Sequence, residues 1–225
     1  IKFLQKVQRA NPTTDAGKRI SLTENLTRAE TAALFMQELK IKDLYNQYAP
    51  KVQDVPVKET GQASPEGKEA GPVDETKVTG QVFTETYPAE PPPMKLWAND
   101  ILEHPLYEDI EGVLESGVHG LENDPRGNFK PNEVISRGEF AIIVEDVLIK
   151  VTGEKDIAAR YVNAKSLFPD VPADMPYFKA IIAVTSKGIM EAKNIKTGEF
   201  SPLKPLSGVE ALLAIRKLKD VLKIN

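Results

Sequence analysis

The amino-acid sequence predicts an all-α chain of three helix-loop-helix repeats, with a long proline-rich insertion after the first repeat. Two observations predict this architecture. The chain resembles itself when it is displaced by a fixed number of residues, and the same helix-start pattern recurs in each copy. Internal periodicity of this kind is typical of repeat proteins, whose units bury their apolar faces against one another.

The repeat register follows from two displacements of the sequence. A displacement of 71 residues places Ile110–Glu139 on Ile181–Glu210 without a gap. A displacement of 109 residues places Leu26–Glu30 on Ile135–Glu139, which reveals a third and more divergent copy. Because the sequence starts at Ile1, inside the first helix of that copy, a signal peptide, lipid anchor or further domain can precede it. The predicted units are residues 1–50, 95–152 and 153–225, with the insertion at 51–94.

Each repeat reads as a first helix, a loop and a second helix. The first helix has apolar residues at helical spacing and stops at Gly117 or Gly188, as expected for a glycine that ends a helix. The loop contains Gly-x-Phe-x-Pro at 127–131 and 198–202. The second helix opens with a hydroxyl residue followed three places later by Glu, the capping-box pattern. The predicted capping pairs are Thr27 with Glu30, Ser136 with Glu139, and Ser207 with Glu210.

Composition excludes several classes of protein. The chain has 33 acidic and 29 basic side chains and a net charge of −4, which gives no positive field for nucleic acid. It has no cysteine, so disulfide scaffolds and cysteine-ligated metal sites are excluded. The two histidines, His104 and His119, lie in no serine or metal motif, and no glycosidase-like carboxylate pair stands out. We therefore expect no catalytic residue, cofactor or metal.

Proline, glycine and charged residues dominate the insertion, so we expect it to be a linker or a surface excursion with at most one short strand or hairpin, at 78–86.

Four motifs that follow one another in a fixed order resemble the S-layer homology family. They are Phe168-Pro169-Asp170-Val171-Pro172, Lys187-Gly188-Ile189 at the end of a first helix, the loop Gly-x-Phe-x-Pro at 127–131 and 198–202, and Leu26-Thr27-Arg28-Ala29-Glu30 at the start of a second helix. The resemblance implies a pseudo-threefold unit in which grooves between repeats bind cell-wall polysaccharide, often carrying an acidic pyruvate group, or a glycan linked to peptidoglycan. It also implies an extracytoplasmic location at the bacterial surface and a role in anchoring proteins to the envelope.

The sequence departs from the family pattern at three places. The third copy has Gly208 where the motif has Arg, and the first copy has Ile20 and Leu22 in place of the loop Phe and Pro. The second copy has two candidate starts, at 52–56 and at 96–101, of which the second leads into Tyr107 as Asp170-Val171 leads into Tyr177.

The motif arginines are the strongest candidates for ligand binding. Arg28 and Arg137 lie in the first turn of a helix, where the helix dipole disfavours a cation. An anionic ligand would account for their position, and so would a salt bridge to Asp100 or Asp170 of the neighbouring repeat. Aromatic side chains can stack on sugars or pack the start of the first helix, and the loop glycines serve either a ligand or a turn. The predicted glycan-binding residues are Arg28, Arg137, Trp97, Tyr107, Tyr177, Asp100, Asp170 and Gly127.

These observations favour a noncatalytic envelope anchor that binds wall glycan. A structural or protein-interaction module, in which the grooves have decayed, is the alternative that the lost motif residues favour. A third reading is the tail of a larger enzyme or porin whose activity lies upstream of Ile1.

Overall fold

The structure, a computed structural model, describes residues 2–48, 97–154 and 165–224. The insertion at 51–94, its predicted hairpin and the alternative repeat start at 52–56 lie outside the described residues. The described residues are mainly helical and contain no β-strand beyond isolated bridges. Their α-helices are α1 (Lys2–Ala10), α2 (Asp15–Ile20), α3 (Arg28–Ala33), α4 (Ile41–Tyr48), α5 (Tyr107–Ser116), α6 (Arg137–Thr152), α7 (Phe178–Ser186) and α8 (Gly208–Leu222).

We keep the names first, second and third repeat for the units that the sequence predicts. Helices α1, α5 and α7 are the first helices of these units, and α3, α6 and α8 are the second helices. Helix α5 ends at Gly117, which has φ +64°, and α7 is followed by Gly188 at φ +68°. This left-handed conformation strains a residue with a Cβ atom, which is why glycine follows both helices.

The second helices all begin at a hydroxyl residue with a Glu three places on. The carboxylates of Glu30 and Glu139 accept the backbone N–H of Thr27 and Ser136, and each hydroxyl accepts the backbone N–H of its Glu. In the third repeat the Glu210 carboxylate accepts both the backbone N–H and the hydroxyl of Ser207. These bonds satisfy amide groups that no helical carbonyl can reach.

The first repeat differs from the helix-loop-helix pattern. Its loop contains α2, which Thr14 caps by accepting the backbone N–H of Gly17. Helix α3 continues into a π-helical turn at Leu34–Glu38, and α4 follows it. The sequence did not predict α2, because this copy has lost the loop residues that the other two copies share. It also did not predict that a separate helix, α4, follows the π-helical turn.

All three repeats contribute to one apolar core. Phe35, Phe129, Phe140 and Phe200 are fully buried within it, and the rings of Phe35 and Phe140 meet edge to face at 5.8 Å. The contacts between helices follow a closed order, because the second helix of each repeat packs on the first helix of the next: α3 on α5, α6 on α7, and α8 on α1. The first repeat is therefore part of the same folded unit as the other two.

A closed ring of three backbone hydrogen bonds joins the residues that precede the second helices. Leu26 N–H donates to the carbonyl of Leu206 (2.8 Å), Ile135 N–H to that of Leu26 (2.8 Å), and Leu206 N–H to that of Ile135 (3.1 Å). The three side chains are buried. Each repeat thus donates one bond and accepts one, so the starts of all three second helices meet at one point.

Candidate functional site

The two motif arginines lie at the seams, by which we mean the contacts between the second helix of one repeat and the next repeat. At seam 1–2, Arg28 crosses from α3 to the second repeat. Its Nε donates to the carbonyl of Phe129 (2.8 Å), Nη1 to that of Gly120 (3.1 Å) and Nη2 to that of Glu122 (2.9 Å). The guanidinium carbon lies 4.8 Å from the centre of the Phe129 ring. Arg28 is therefore bonded through all three nitrogens to backbone oxygens.

Seam 2–3 repeats this arrangement with Arg137. Its Nε donates to the carbonyl of Phe200 (2.8 Å), its Nη2 to that of Glu191 (2.7 Å), and its guanidinium stacks 4.5 Å from the Phe200 ring centre. The remaining Nη1 forms an ion pair with Glu210 at 3.3 Å. Only 3% of Arg137 is exposed, and this burial lowers its pKa, although the carboxylates of Glu210 and Asp170 oppose the shift.

The first-turn amides beside these arginines are also occupied. Arg28 N–H and Ala29 N–H donate to the carbonyls of Glu133 (2.9 Å) and Pro131 (3.0 Å). Arg137 N–H and Gly138 N–H donate in the same way to Lys204 (3.0 Å) and Pro202 (2.8 Å). Free amides at a helix start bind anions well. Here the carbonyl groups of the next repeat occupy the position that an anion would take. Their negative ends compensate the positive charge of the arginine at the positive end of the helix dipole.

Asp100 and Asp170 hold the loop that receives the arginine. The Asp170 carboxylate accepts the backbone N–H groups of Phe200 (2.9 Å) and Ser201 (2.7 Å). The Asp100 carboxylate accepts those of Phe129 and Lys130, both at 2.8 Å. Neither aspartate forms the salt bridge with a motif arginine that the sequence suggested, since the ion pair of Arg137 is with Glu210. In each of these two loops, a carboxylate thus binds backbone N–H groups and an arginine binds backbone carbonyl groups.

Seam 3–1 lacks this clamp. Gly208 occupies the position of the motif arginine, and its backbone N–H donates to the carbonyl of Thr23 (2.9 Å). A Cβ atom on Gly208 would lie 1.7 Å from the carbonyl oxygen of Ile20, which is far inside contact distance. No side chain fits without movement of the backbone, so this seam closes by direct contact between main chains.

The predicted aromatic residues lie at separate places. Trp97 borders a cavity of about 200 Å³ within the second repeat, and its carbonyl accepts the side-chain amide of Asn123 at 2.5 Å. The hydroxyl of Tyr107 donates to Glu111 (3.3 Å) at the start of α5. The ring of Tyr177 fills the space where Gly138 has no side chain, 2.6 Å from where a Cβ atom would be.

Gly127 lies in a turn at φ +82°, a conformation that favours glycine for reasons independent of any ligand.

One charged group that the sequence analysis did not select is Glu38, of which 6% is exposed. Its carboxylate accepts the backbone N–H and hydroxyl groups of Thr13 and Thr14 at 2.7–3.1 Å. Burial raises the pKa of Glu38, but these hydrogen bonds outweigh burial, and the pKa lies below its ordinary value. The repeat register places Glu38 on Val147 and Leu218. A carboxylate at an otherwise apolar position was the signal that could have identified it.

Two stretches, residues 100–141 and 167–212, match the family model of the S-layer homology domain. Both stretches are thus similar to the S-layer homology domain. They coincide with the second and third repeats, which have the Asp-held loops described above. S-layer homology domains are noncatalytic modules that anchor proteins at the cell surface by binding cell-wall glycans, so the matches indicate association with the cell envelope. Comparison with curated proteins and with solved structures gave no match.

Two further findings concern the described residues alone. None of their helices is long and apolar enough to cross a membrane. Across residues 2–48, 97–154 and 165–224, no group of histidine and acidic side chains has the arrangement needed to hold a metal ion.

Proposed function

We propose that this chain is a noncatalytic anchoring module of a bacterial cell envelope, and that it binds cell-wall polysaccharide in grooves between three repeats. The observation that carries the proposal is the pair of matches to the S-layer homology domain at residues 100–141 and 167–212. We further propose that residues 1–48 form a third, divergent repeat and that the three lie about a pseudo-threefold axis. The closed order of helix contacts and the ring of three backbone hydrogen bonds support that arrangement.

The clamps at the seams suit an anchor. A groove between repeats keeps a fixed shape only if the repeats cannot shift against each other, and a preformed groove loses less entropy when it binds. Arg28 and Arg137 each join two repeats through three hydrogen bonds and a stacked ring. We infer that their main contribution is to hold the groove walls in place. Direct glycan contacts by Trp97, Tyr107 and Tyr177 remain predictions.

The test is co-sedimentation with purified cell walls from the organism that encodes the chain. We expect the chain to pellet with intact walls and to stay in solution with walls from which the polysaccharide has been stripped. Because Arg137 is buried, loss of binding in an Arg137→Ala variant would not distinguish a lost contact from a distorted seam. A chain that stays in solution with intact walls contradicts the proposal.

The hydrogen bonds that Arg28 and Arg137 form inside the protein favour a second candidate, a structural or protein-interaction module without glycan binding. Both guanidinium groups are bonded inside the protein, and the third repeat has Gly208 at the equivalent position. This candidate predicts equal binding to intact and stripped walls, and co-purification with an envelope protein. The stripped-wall comparison therefore separates the two functions.

A further inference from the structure

A cavity of about 200 Å³ lies within the second repeat, beside helix α5 and the segment that follows it. Val113, Val118 and Leu121 are fully buried and form its inner wall. Trp97 and Leu114 are half-buried and lie on the side nearer to solvent. An apolar cavity of about 150 Å³ is large enough to bind benzene. This cavity therefore has room for one aromatic ring with a small substituent.

One polar atom at this cavity has no hydrogen-bond partner among the residues that the structure describes. The side chain of Asn123 lines the cavity and donates through Nδ2 to the carbonyl of Trp97 at 2.5 Å. Its Oδ1 is buried and accepts no hydrogen bond. Because a carbonyl oxygen can only accept, Nδ2 must face Trp97, and Oδ1 is the atom left without a partner. A buried acceptor without a donor is unfavourable, so a ligand that supplies an N–H or O–H group gains an advantage here.

The third repeat uses the equivalent asparagine differently. Asn194 takes the position of Asn123 when the sequence is displaced by 71 residues. Its Oδ1 accepts the backbone N–H groups of Lys196 at 3.0 Å and Thr197 at 3.4 Å. The same residue type thus stabilises a turn in the third repeat, whereas in the second repeat its oxygen is available to a ligand.

The lining of the cavity disfavours sugars and acidic molecules. A sugar has a hydroxyl group on most of its ring carbons, and apolar walls would leave several of them without partners. Glu122 also lines the cavity. Burial raises its pKa, but hydrogen bonds with His119 (2.5 Å) and Gly120 (2.7 Å) outweigh burial and hold the pKa below its ordinary value. Its carboxylate is therefore negatively charged at neutral pH and repels an anion.

We propose that this cavity binds an uncharged aromatic group of one ring that carries a hydrogen-bond donor, such as a phenol, and that Asn123 Oδ1 accepts its hydrogen bond. The ring packs against Val113, Val118 and Leu121, and the indole of Trp97 contacts it on the solvent side. The group is either a free phenol or the tyrosine side chain of another protein, which share this chemistry. The site goes beyond the proposed function, because its ligand is not a saccharide.

The fluorescence of Trp97, the only tryptophan of the chain, reports binding at the cavity. The probes are p-cresol, toluene, p-toluate and methyl glucoside. We expect p-cresol to bind about 3- to 10-fold more tightly than toluene, because it gains one hydrogen bond. We expect the anionic p-toluate and methyl glucoside to bind at least about tenfold more weakly than p-cresol.

Three variants locate the site. Asn123→Leu keeps the approximate size of the side chain but removes the acceptor, so the ratio of the p-cresol and toluene affinities should fall to about one. Leu114→Phe fills the cavity from its half-buried side and should weaken both ligands at least about tenfold. Asn132→Leu, at an exposed position of the same repeat, is the control and should leave both affinities within about twofold of those of the unchanged chain.

A fifth probe, N-acetyltyrosinamide, distinguishes the two sources of the aromatic group, because it carries the phenol on a peptide backbone. Binding as tight as that of p-cresol indicates the tyrosine side chain of a partner protein. Binding of p-cresol without binding of N-acetyltyrosinamide indicates a free phenol.

The inference is overturned if p-cresol does not bind, or if it binds no more tightly than toluene. It is also overturned if Asn123→Leu leaves the ratio of the two affinities unchanged, or if Leu114→Phe leaves p-cresol binding unchanged. None of these results affects the anchoring function, which co-sedimentation with cell walls tests separately.

Discussion

Replacing Arg137 by Met tests whether the arginine clamp holds the repeats together. Methionine keeps an unbranched apolar stem of similar length but has no hydrogen-bond donor. The carbonyl groups of Phe200 and Glu191 would lose the donors that they have at 2.8 and 2.7 Å. A buried acceptor left without a partner costs about 1–3 kcal/mol. Glu210 would keep its ion pair with Lys193 at 2.7 Å, so no carboxylate is left unpaired.

Two lost donors and a lost cation–π contact together predict a loss of about 3–5 kcal/mol in the free energy of unfolding. For a chain of this size that loss lowers the melting temperature by about 10 °C. Urea unfolding followed by circular dichroism measures it. Arg126→Met, at an exposed position, is the control and should change stability by less than about 0.5 kcal/mol. Arg28→Met should fall between the two, because Arg28 is only partly buried.

A loss below about 1 kcal/mol for Arg137→Met would refute the reasoning. It would mean that relief from burying the charge offsets the lost hydrogen bonds, as happens when some buried ion pairs are replaced by apolar residues. The seam would then be held by its apolar contacts and main-chain bonds alone.

Three further predictions concern other contacts at the seams. Gly208→Ala places a Cβ atom against the carbonyl of Ile20 and should destabilise the fold by at least about 1–3 kcal/mol in urea unfolding, whereas an unchanged midpoint would show that α2 can move aside. Asp170→Ala removes the acceptor for two loop amides and should cost about 2–4 kcal/mol, with faster hydrogen exchange at those amides as the specific signature. Glu38→Gln removes a carboxylate whose folded pKa lies below its ordinary value of 4.5, so the stability it supplies is present above that pH and is lost as the pH falls through the folded pKa. The variant should be less stable by about 1–3 kcal/mol at pH 7 and should depend less on pH below 5, and parallel acid-unfolding curves would contradict this.

The features that the sequence predicted well are those that depend on neighbours in the chain. Helix ends at Gly117 and Gly188 and the hydroxyl–Glu pattern at the starts of the second helices follow from local backbone chemistry, which residue types reveal directly. The family resemblance was likewise carried by short motifs in a fixed order, and the family matches at 100–141 and 167–212 lie where those motifs recur.

The partners of the arginines could not be predicted in the same way. The acceptors of Arg28 and Arg137 are main-chain carbonyl groups, which every residue has, so no residue type in the sequence marks them. Asp100 and Asp170 were the predicted partners because an acidic side chain is the usual partner of an arginine. Those carboxylates are bonded to the amide groups of the same loops, and only the folded chain brings the two sides of each loop together.

Helix α2 was missed for a different reason. In the alignment of the copies, Ile20 stands in place of a loop phenylalanine, whereas in the structure Ile20 is the last residue of a helix that Thr14 caps. The cap belongs to a network in which Thr14 also donates to the buried carboxylate of Glu38. A network that spans 24 residues and has no counterpart in the other two copies cannot be found by aligning the copies with one another.

The two departures from the family pattern at seam 3–1 have a single physical cause. At the other seams a motif arginine stacks on a loop phenylalanine, Arg28 on Phe129 and Arg137 on Phe200. At seam 3–1, Gly208 occupies the position of the arginine and Ile20 that of the phenylalanine, so neither side chain of the stack is present. The carbonyl of Ile20 lies where the Cβ atom of residue 208 would be, so an arginine has no room at this position. Without the arginine, a phenylalanine at position 20 would have no guanidinium group to stack against. Replacing both residues, by Gly208→Arg with Ile20→Phe, should therefore fail to restore a clamp and should destabilise the fold more than Ile20→Phe alone, since the obstacle is the backbone of α2 and not a missing side chain.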